Sequence, residues 1–320
     1  MEVVHSIQEL GVLEQDSAVV IGNFDGVHLG HHHLIEKTKE FAQNQSLVSV
    51  AYTFDPHPAK IFRPDLAPLM IEPLSVKLER LHKAGIDIAF VQPFDSEFAK
   101  TSPESFIEQT LVQGLRAKHV IVGNGFVFGH NQSGSVETLE QEGQSQGFEV
   151  HPQSLVQIQG IDISSTRIRE FVQRGNLTGA TLLLGRYFQL RGYVIYGAQR
   201  GKKIGIPTAN LKPANELLPK IGVYACIARG KFGTASAVVN IGVNPTFDES
   251  ELKIEAHLLD TPDLDLYGSE LRLEFVERIR GEKRFKGIES LKEQVGSVKE
   301  EIQENLAALQ ILMGGLQTIA

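Results

Sequence analysis

The first residues with chemical potential are two histidines three apart, set among glycines just after an apolar run. Gly22-Asn23-Phe24-Asp25-Gly26-Val27-His28-Leu29-Gly30-His31 follows Ser17–Ile21, which reads as a strand. Gly22 and Gly26 allow a tight turn and close approach of backbone to a ligand. His28 and His31 then open a segment with helical spacing. Amides at a helix start are unpaired and carry the positive end of the dipole, so they attract anions. Side chains at i and i+3 share one face there. This pattern suits a phosphate oxygen attacking the α-phosphorus of ATP, with fixed donors stabilising charge on the phosphoryl oxygens and no covalent enzyme intermediate. Taken alone, the same residues also make a glycine turn with surface histidines. The run His31-His32-His33 suggests a metal, but adjacent histidines do not share a helical face.

A second anion-binding candidate is Ile163-Ser164-Ser165-Thr166-Arg167-Ile168-Arg169, with three hydroxyls and two guanidiniums at a helix start. An ordinary helix cap would account for the hydroxyls alone. A third candidate is Gly201-Lys202-Lys203-Ile204-Gly205-Ile206-Pro207-Thr208-Ala209-Asn210. Glycines and lysines in a turn can wrap phosphates with backbone amides. Thr208 and Asn210, two residues apart in an extended segment, point the same way and offer neutral oxygens suited to Mg2+. Glu255, in the strand-like run Lys253–Leu258, could take the proton of an attacking hydroxyl. The bland alternatives are a solvated hairpin loop and a surface carboxylate.

Positioning these groups requires two kinds of framework. The first half alternates strand-like runs (Ser17–Ile21, Leu47–Phe54, Ile86–Val91, His119–Val122) with helical ones (Leu34–Ala42, Val76–Ala84, Pro103–Leu115). Ser102 is the expected cap of the last of these. Such alternation predicts a parallel sheet with crossover helices. After Leu184 short strands separated by Gly, Pro and Asn predict an antiparallel barrel: Arg191–Tyr196, Val223–Ala228, Ala235–Ile241, Lys253–Leu258 and Glu270–Val276. A helix is expected from Ile288 to about Leu309, and the apolar stripe of Leu306–Ala320 reads as a helix packing on its own chain.

Composition is ordinary for a soluble globular protein. The 320 residues suit about two domains. The net charge of -8 argues against general nucleic-acid binding. The single cysteine, Cys226, rules out an intrachain disulfide and a cysteine-rich zinc site, and fits a reducing cytoplasm. No signal peptide or membrane span is expected.

The first half resembles the FMN adenylyltransferase domain of bacterial bifunctional riboflavin kinase/FAD synthetases. The segments that carry the likeness are GNFDGVHLGH (22–31), TFDPHP (53–58), VGNGFVFG (122–129) and ISSTRIR (163–169). The resemblance implies an HxGH nucleotidylyl-transferase fold of Rossmann-like type. It implies that His28 and His31 contact ATP phosphates, with Gly22, Asn23, Phe24, Asp25 and Gly26 against the nucleotide. Ser164, Ser165, Thr166 and Arg169 would complete the phosphate site. Phe54, Asp55, Pro56, His57, Pro58, Asn124, Phe126 and Phe128 would line the nucleotide and flavin pockets. The chain departs from the pattern at Gly125, where many relatives carry Asp or Asn, and at Gln132, often Arg.

Residues 183–300 resemble the flavokinases, through GKKIGIPTANL (201–211), GVYA (222–225), NIGVNPTF (240–247), IEAHLLD (254–260), DLYG (265–268) and FKGIESLKEQV (285–295). This implies a six-stranded antiparallel barrel with a closing helix. It implies Thr208 and Asn210 at the Mg-ATP site, Glu255 as the base for the riboflavin 5'-hydroxyl, and Gly201, Lys202, Gly205 and Pro207 in a loop over ADP. Arg280 would belong to the flavin-side lid. The expected organisation is therefore an adenylyltransferase domain over 1–182, a riboflavin kinase domain over 183–305 and an apolar tail over 306–320. The implied substrates are riboflavin, FMN and ATP, and FMN and FAD the products. Two other readings remain open: a kinase whose adenylylating half is weak or inactive, given Gly125 and Gln132, and a regulatory protein that holds flavin without turnover.

Overall fold

The computed structural model describes residues 1–196, 208–246, 249–259, 261 and 265–281, with 244–246 and 249–251 given as backbone. It divides into two compact units. One comprises Met1–Leu69 and Leu74–Ser165; the other comprises Met70–Pro73 and the chain from Thr166 onward.

The first unit is built on six parallel strands: β1 (Glu2–Val4), β2 (Ser17–Ile21), β3 (Val48–Asp55), β4 (Ile88–Pro93), β5 (Ala117–Gly123) and β6 (Glu149–Gln153). Their spatial order is β1-β4-β3-β2-β5-β6. Every residue of β2 is buried, as expected of a central parallel strand covered on both faces. Val19 and Ile21 pack into one core with Tyr52, Phe90, Leu111 and Val120. Val20, between them, points into the other core with Phe24, Val27, Ile35 and Leu81. From β2 the chain builds outward through β3 and β4, then returns to place β5 on the opposite side. The carboxyl end of β2 is thus the switch point where open α/β sheets bind ligands.

The four strands expected in this half form, with ends moved by one or two residues. The Leu29–Gln45 helix starts five residues before the apolar spacing does, and Leu74–Lys83 matches its expectation closely. Ser102 caps as expected, accepting the Ser105 N–H at 3.1 Å. After Pro103–Ser105, however, the helix widens into a π-helix over Phe106–Gly114, closed by the Leu115 N–H to the Thr110 carbonyl at 2.8 Å. Strands β1 and β6 had no sequence signal. β1 is only three residues long, and β6 reads EVHPQ, its Pro152 tolerated because β6 is an edge strand. A short antiparallel pair, β7 (Gln157–Ile158) and β8 (Ile161–Asp162), leads to the end of this unit.

The second unit holds the Leu177–Leu184 helix and a closed antiparallel barrel. Its strands are β9 (Phe188–Ile195), β10 (Ala209–Pro213), β11 (Gly222–Gly230), β12 (Gly233–Thr246), β13 (Glu249–Leu258) and β14 (Glu270–Arg280), in the order β10-β13-β12-β11-β14-β9. The register aligns Leu211, Ile254 and Ile241 in one row, and Ala209, Ala256, Val239 and Tyr224 in the next. Most of these are fully buried, so these rows fill the interior. Gly192 lets β9 approach β10 closely, since a Cβ there would lie 2.1 Å from the Lys212 carbonyl oxygen.

The early segment Met70–Pro73 is tied into this unit by Asn215. Its Nδ2 donates to the Ile71 and Gln189 carbonyls at 2.9 and 3.0 Å, and its Oδ1 accepts the Arg191 N–H at 2.9 Å. Glu72 pairs with Arg186 at 3.2 Å. No helix among the described residues is long and apolar enough to cross a membrane. The Gly201–Pro207 loop, the expected Ile288–Leu309 helix and the tail 306–320 lie outside the described residues.

Candidate active sites

The β2-to-helix turn is unusual backbone. Phe24 and Val27 hold positive φ (48° and 31°) although neither is glycine, and Gly26 sits at 82°. Left-handed conformations cost L-residues energy and persist only where their surroundings enforce them. Here the enforcing contact is burial, because Phe24 and Val27 are fully inside the core. Two core side chains therefore grip a strained turn and fix the direction in which the chain enters the next helix.

That helix opens with a cap made of two histidines. His28 is the N-cap of the Leu29–Gln45 helix. Its Nδ1 accepts the His31 N–H at 3.2 Å, and His31 Nδ1 accepts the His28 N–H at 3.3 Å. The rings stack with centroids 3.6 Å apart and planes 13° apart, and Phe24 meets His31 edge-on at 5.2 Å. The reciprocal bonds have a chemical consequence. Each Nδ1 must keep its lone pair, so a neutral ring carries its proton on Nε2. The capping box thus fixes both tautomers and leaves Nε2–H as the donor of each ring.

Three further segments reach this end of the sheet. At the end of β3, Thr53 Oγ1 donates to the Asn23 carbonyl at 3.2 Å, and the Gly22 N–H donates to the Tyr52 carbonyl at 3.1 Å. These bonds join the FDPHP segment to the glycine turn. Asp55–Pro56 is a cis peptide, and His57 caps the short Pro58–Phe62 helix, its Nδ1 accepting the Ala59 N–H at 3.1 Å. Phe54 lies edge-on to Phe94 at 5.7 Å. Ser165 Oγ donates to the Asp25 carbonyl at 2.8 Å, which ties the serine motif to the same turn. Ser165 opens the Ser165–Arg174 helix; Thr166 and Arg169 continue it in the second unit, and Arg167 pairs with Glu170 at 2.9 Å.

After β5, Asn124 is exposed and bonds Ser154 at 3.1 Å through Nδ2. Phe126 and Phe128 stack at 5.5 Å, and the Phe128 ring meets Phe106 at the same distance. Gly125 is exposed, and Gln132 adopts a positive φ of 56°.

Sequence reasoning missed Lys77. Its side chain is almost wholly buried, with Nζ 3.3 Å from Thr53 Oγ1 and 3.4 Å from the Phe54 carbonyl. It brings a cation to the end of β3. One lysine in an amphipathic helix has no signature in a single sequence.

In the barrel, Asn210, Glu255 and Asn240 occupy one cross-strand row, with Glu255 between the other two. Register partners face the same side, and this row alternates with the interior rows, so it lies on the outer face of the barrel. All three are half-buried, as is Thr208 just before β10. Asn240 is a second residue the sequence did not single out. Arg280 pairs in register with Val223 at the far end of β14, and its Nη1 donates to the Gly281 carbonyl at 3.3 Å. Cys226 is buried in the interior, and burial holds its thiol well above the usual range.

A parallel sheet whose switch-point strand runs into a histidine-capped helix, joined to a closed six-stranded barrel with an amide–carboxylate row, defines a nucleotide-dependent transferase of two modules. Residues 12–167 match the FAD synthetase family model, and residues 184–306 match the riboflavin kinase model. The chain is 35% identical over 298 residues to the bifunctional riboflavin kinase/FMN adenylyltransferase of Escherichia coli K12, spanning 92% of this chain and 95% of that protein. It is 34% identical over 309 residues to the Bacillus subtilis enzyme of the same name, spanning 94% and 97%. The chain belongs to the family of bifunctional riboflavin kinase/FMN adenylyltransferases. A crystal structure from Streptococcus pneumoniae, described as a macrolide-efflux protein, superposes with a TM-score of 0.82 at 30% identity, covering 93% of this chain and 97% of that one.

Proposed function

We propose that the two modules divide two ATP-dependent reactions between them and that the residues described above carry each one. As a member of its family, the chain phosphorylates riboflavin to FMN and then adenylylates FMN to FAD with release of pyrophosphate. The functional modules proposed are residues 1–182 for adenylyl transfer and 183–305 for the kinase, with 306–320 as a tail outside both. The family-model ranges support this division.

In the first reaction, Glu255 takes the proton of the riboflavin 5'-hydroxyl as it attacks the γ-phosphorus of ATP. Thr208 and Asn210 would hold Mg2+, which would neutralise charge on the phosphates; their neutral oxygens are hard donors suited to it. Gly201, Lys202, Gly205 and Pro207 would enclose the nucleotide, and Arg280 would face the flavin.

In the second reaction, an FMN phosphate oxygen attacks the α-phosphorus of ATP. The nucleophile is already charged, so the protein supplies positioning and charge stabilisation. His28 and His31 donate through Nε2–H. Gly22, Asn23, Phe24, Asp25 and Gly26 shape the nucleotide turn, and Ser164, Ser165, Thr166 and Arg169 add donors. Phe54, Asp55, Pro56, His57, Pro58, Asn124, Phe126 and Phe128 bound the pocket. The observation that carries this assignment is the reciprocal histidine cap at the switch point of the sheet.

The partners proposed are small molecules only, since the net charge of -8 disfavours nucleic acid. The cytoplasm is the proposed location, where ATP is supplied and a reduced lone cysteine is at home. Purified protein incubated with riboflavin and Mg-ATP tests the scheme, with riboflavin, FMN and FAD separated by chromatography. FMN followed by FAD is expected. FMN without FAD would mean a kinase with an inert first module, the outcome Gly125 and Gln132 would explain. Bound flavin without ATP consumption would overturn both catalytic assignments.

A further inference from the structure

We propose that His119, Glu149 and His151 form a binding site for a divalent transition metal of the zinc class, joining β5 to the edge strand β6. The parallel register sets His119 beside Glu149 and Ile121 beside His151, so all three side chains share one face of the sheet. His119 Nδ1 lies 3.0 Å from His151 Nε2 and 3.7 Å from Glu149 Oε2, and His151 Nε2 lies 3.8 Å from the same oxygen. Ligands at tetrahedral angles on zinc, with bonds of about 2.0–2.2 Å, stand about 3.3–3.6 Å apart. The three observed separations bracket that range, so an ion needs only small side-chain shifts.

The cluster is also held ready. Phe41, from the Leu29–Gln45 helix, stacks on His119 at 4.3 Å and on His151 at 4.2 Å, fixing both ring planes. His119 has a side chain only 6% exposed, and its Nε2 is buried without a hydrogen-bond partner, which leaves Nδ1 as its working nitrogen. Glu149 is 74% exposed, which leaves one side of the cluster open for water to complete four-coordination. Two imidazoles and a carboxylate suit zinc rather than magnesium. The cluster is separate from the adenylyl-transfer residues: His119 precedes the end of β5 by four residues, about 13 Å of strand.

The test uses the full chain stripped with a chelator and titrated with Zn2+ against a chromophoric competitor, and with Co2+ for its visible d–d bands. The wild type should take up one tight equivalent and show the intense Co2+ spectrum of a four-coordinate site. His151→Ala should abolish it. Glu149→Gln, at an exposed position that leaves the fold intact, should weaken it by at least about tenfold, the lower limit for losing even an outer partner. His33→Ala, in the histidine run, should bind as the wild type does. Zn2+ should raise the Tm of the wild type and not that of His151→Ala. The proposal fails if the wild type binds no stoichiometric metal, if binding survives both Glu149→Gln and His151→Ala, or if His33→Ala is the variant that loses it. In those cases the cluster is a buried histidine–histidine hydrogen bond beside a surface carboxylate.

Discussion

Replacing His28 separates the helix-capping job seen in the structure from the phosphate-donor job proposed for the same ring. His28→Ala removes the Nδ1 acceptor of the His31 N–H and the stacking partner of His31. Loss of an N-cap costs about 0.5–2 kcal/mol. For a unit of this size, about 1 kcal/mol lowers Tm by about 2–4 °C. The same change removes the Nε2–H donor, and losing one such donor from a phosphoryl-type transition state costs about 10^2–10^3 in kcat. His28→Asn should restore the cap, because an amide oxygen accepts from the N3 amide, but not the imidazole donor. The assays are FMN to FAD conversion with Mg-ATP, riboflavin to FMN conversion, and thermal unfolding. His28→Ala should show both losses. His28→Asn should recover most of the Tm and almost none of the FAD synthesis. Both should phosphorylate riboflavin at the wild-type rate. If His28→Asn makes FAD normally, His28 is a helix cap and the phosphate-donor role is wrong.

Glu255→Gln keeps the shape of the Asn210–Glu255–Asn240 row but removes the base, so riboflavin phosphorylation should fall by about 10^2–10^4 while supplied FMN is still converted to FAD; kinase turnover near wild type would exclude it as the base. Lys77→Met should preserve folding, by keeping an unbranched side chain in the buried space, and lower FAD synthesis without touching FMN synthesis; unchanged FAD kinetics would leave Lys77 a purely structural cation. Cys226 should resist alkylation at pH 8 in the native state and react on denaturation, since burial disfavours its thiolate; rapid labelling of folded protein would contradict its interior position. Gly192→Ala should destabilise the barrel by about 1–3 kcal/mol, read by denaturant titration, because its Cβ meets the Lys212 carbonyl.

Much of the frame was legible because its signals are local. The β2 run and the capped Leu29–Gln45 helix arise from apolar patterning and from residue types next to each other in the chain. The pieces that escaped depend on partners far away in sequence. β6 is held as a strand by pairing with β5, thirty residues earlier, and its own Pro152 argues against it in isolation. Asn240 has no chemistry of its own until register sets it beside Glu255. Lys77 becomes a site candidate only through Thr53 and Phe54. The Met70–Pro73 segment belongs to the second unit because Asn215 bonds it, a contact across 144 residues that no periodicity could reveal.

The two frameworks also explain why the two chemistries call for different placements of polar groups. Adenylyl transfer has a charged nucleophile at hand and needs fixed donors, and a parallel sheet offers them where strand ends and a helix start converge. The His28–His31 box adds to those amides two rings whose protons are already directed to Nε2, so little reorganisation remains when charge develops. Phosphorylating an alcohol instead requires a base next to oxygen donors. On the proposed assignment a barrel wall supplies that by register: residues 210, 255 and 240 are aligned by the same backbone hydrogen bonds that close the barrel. A one-residue slip of β13 would turn Glu255 into the interior and Ile254 or Ala256 outward. The interior packing of Ile254 and Ala256 is therefore what holds the carboxylate in place, and the base proposed for the kinase step is only as well positioned as that apolar core is full.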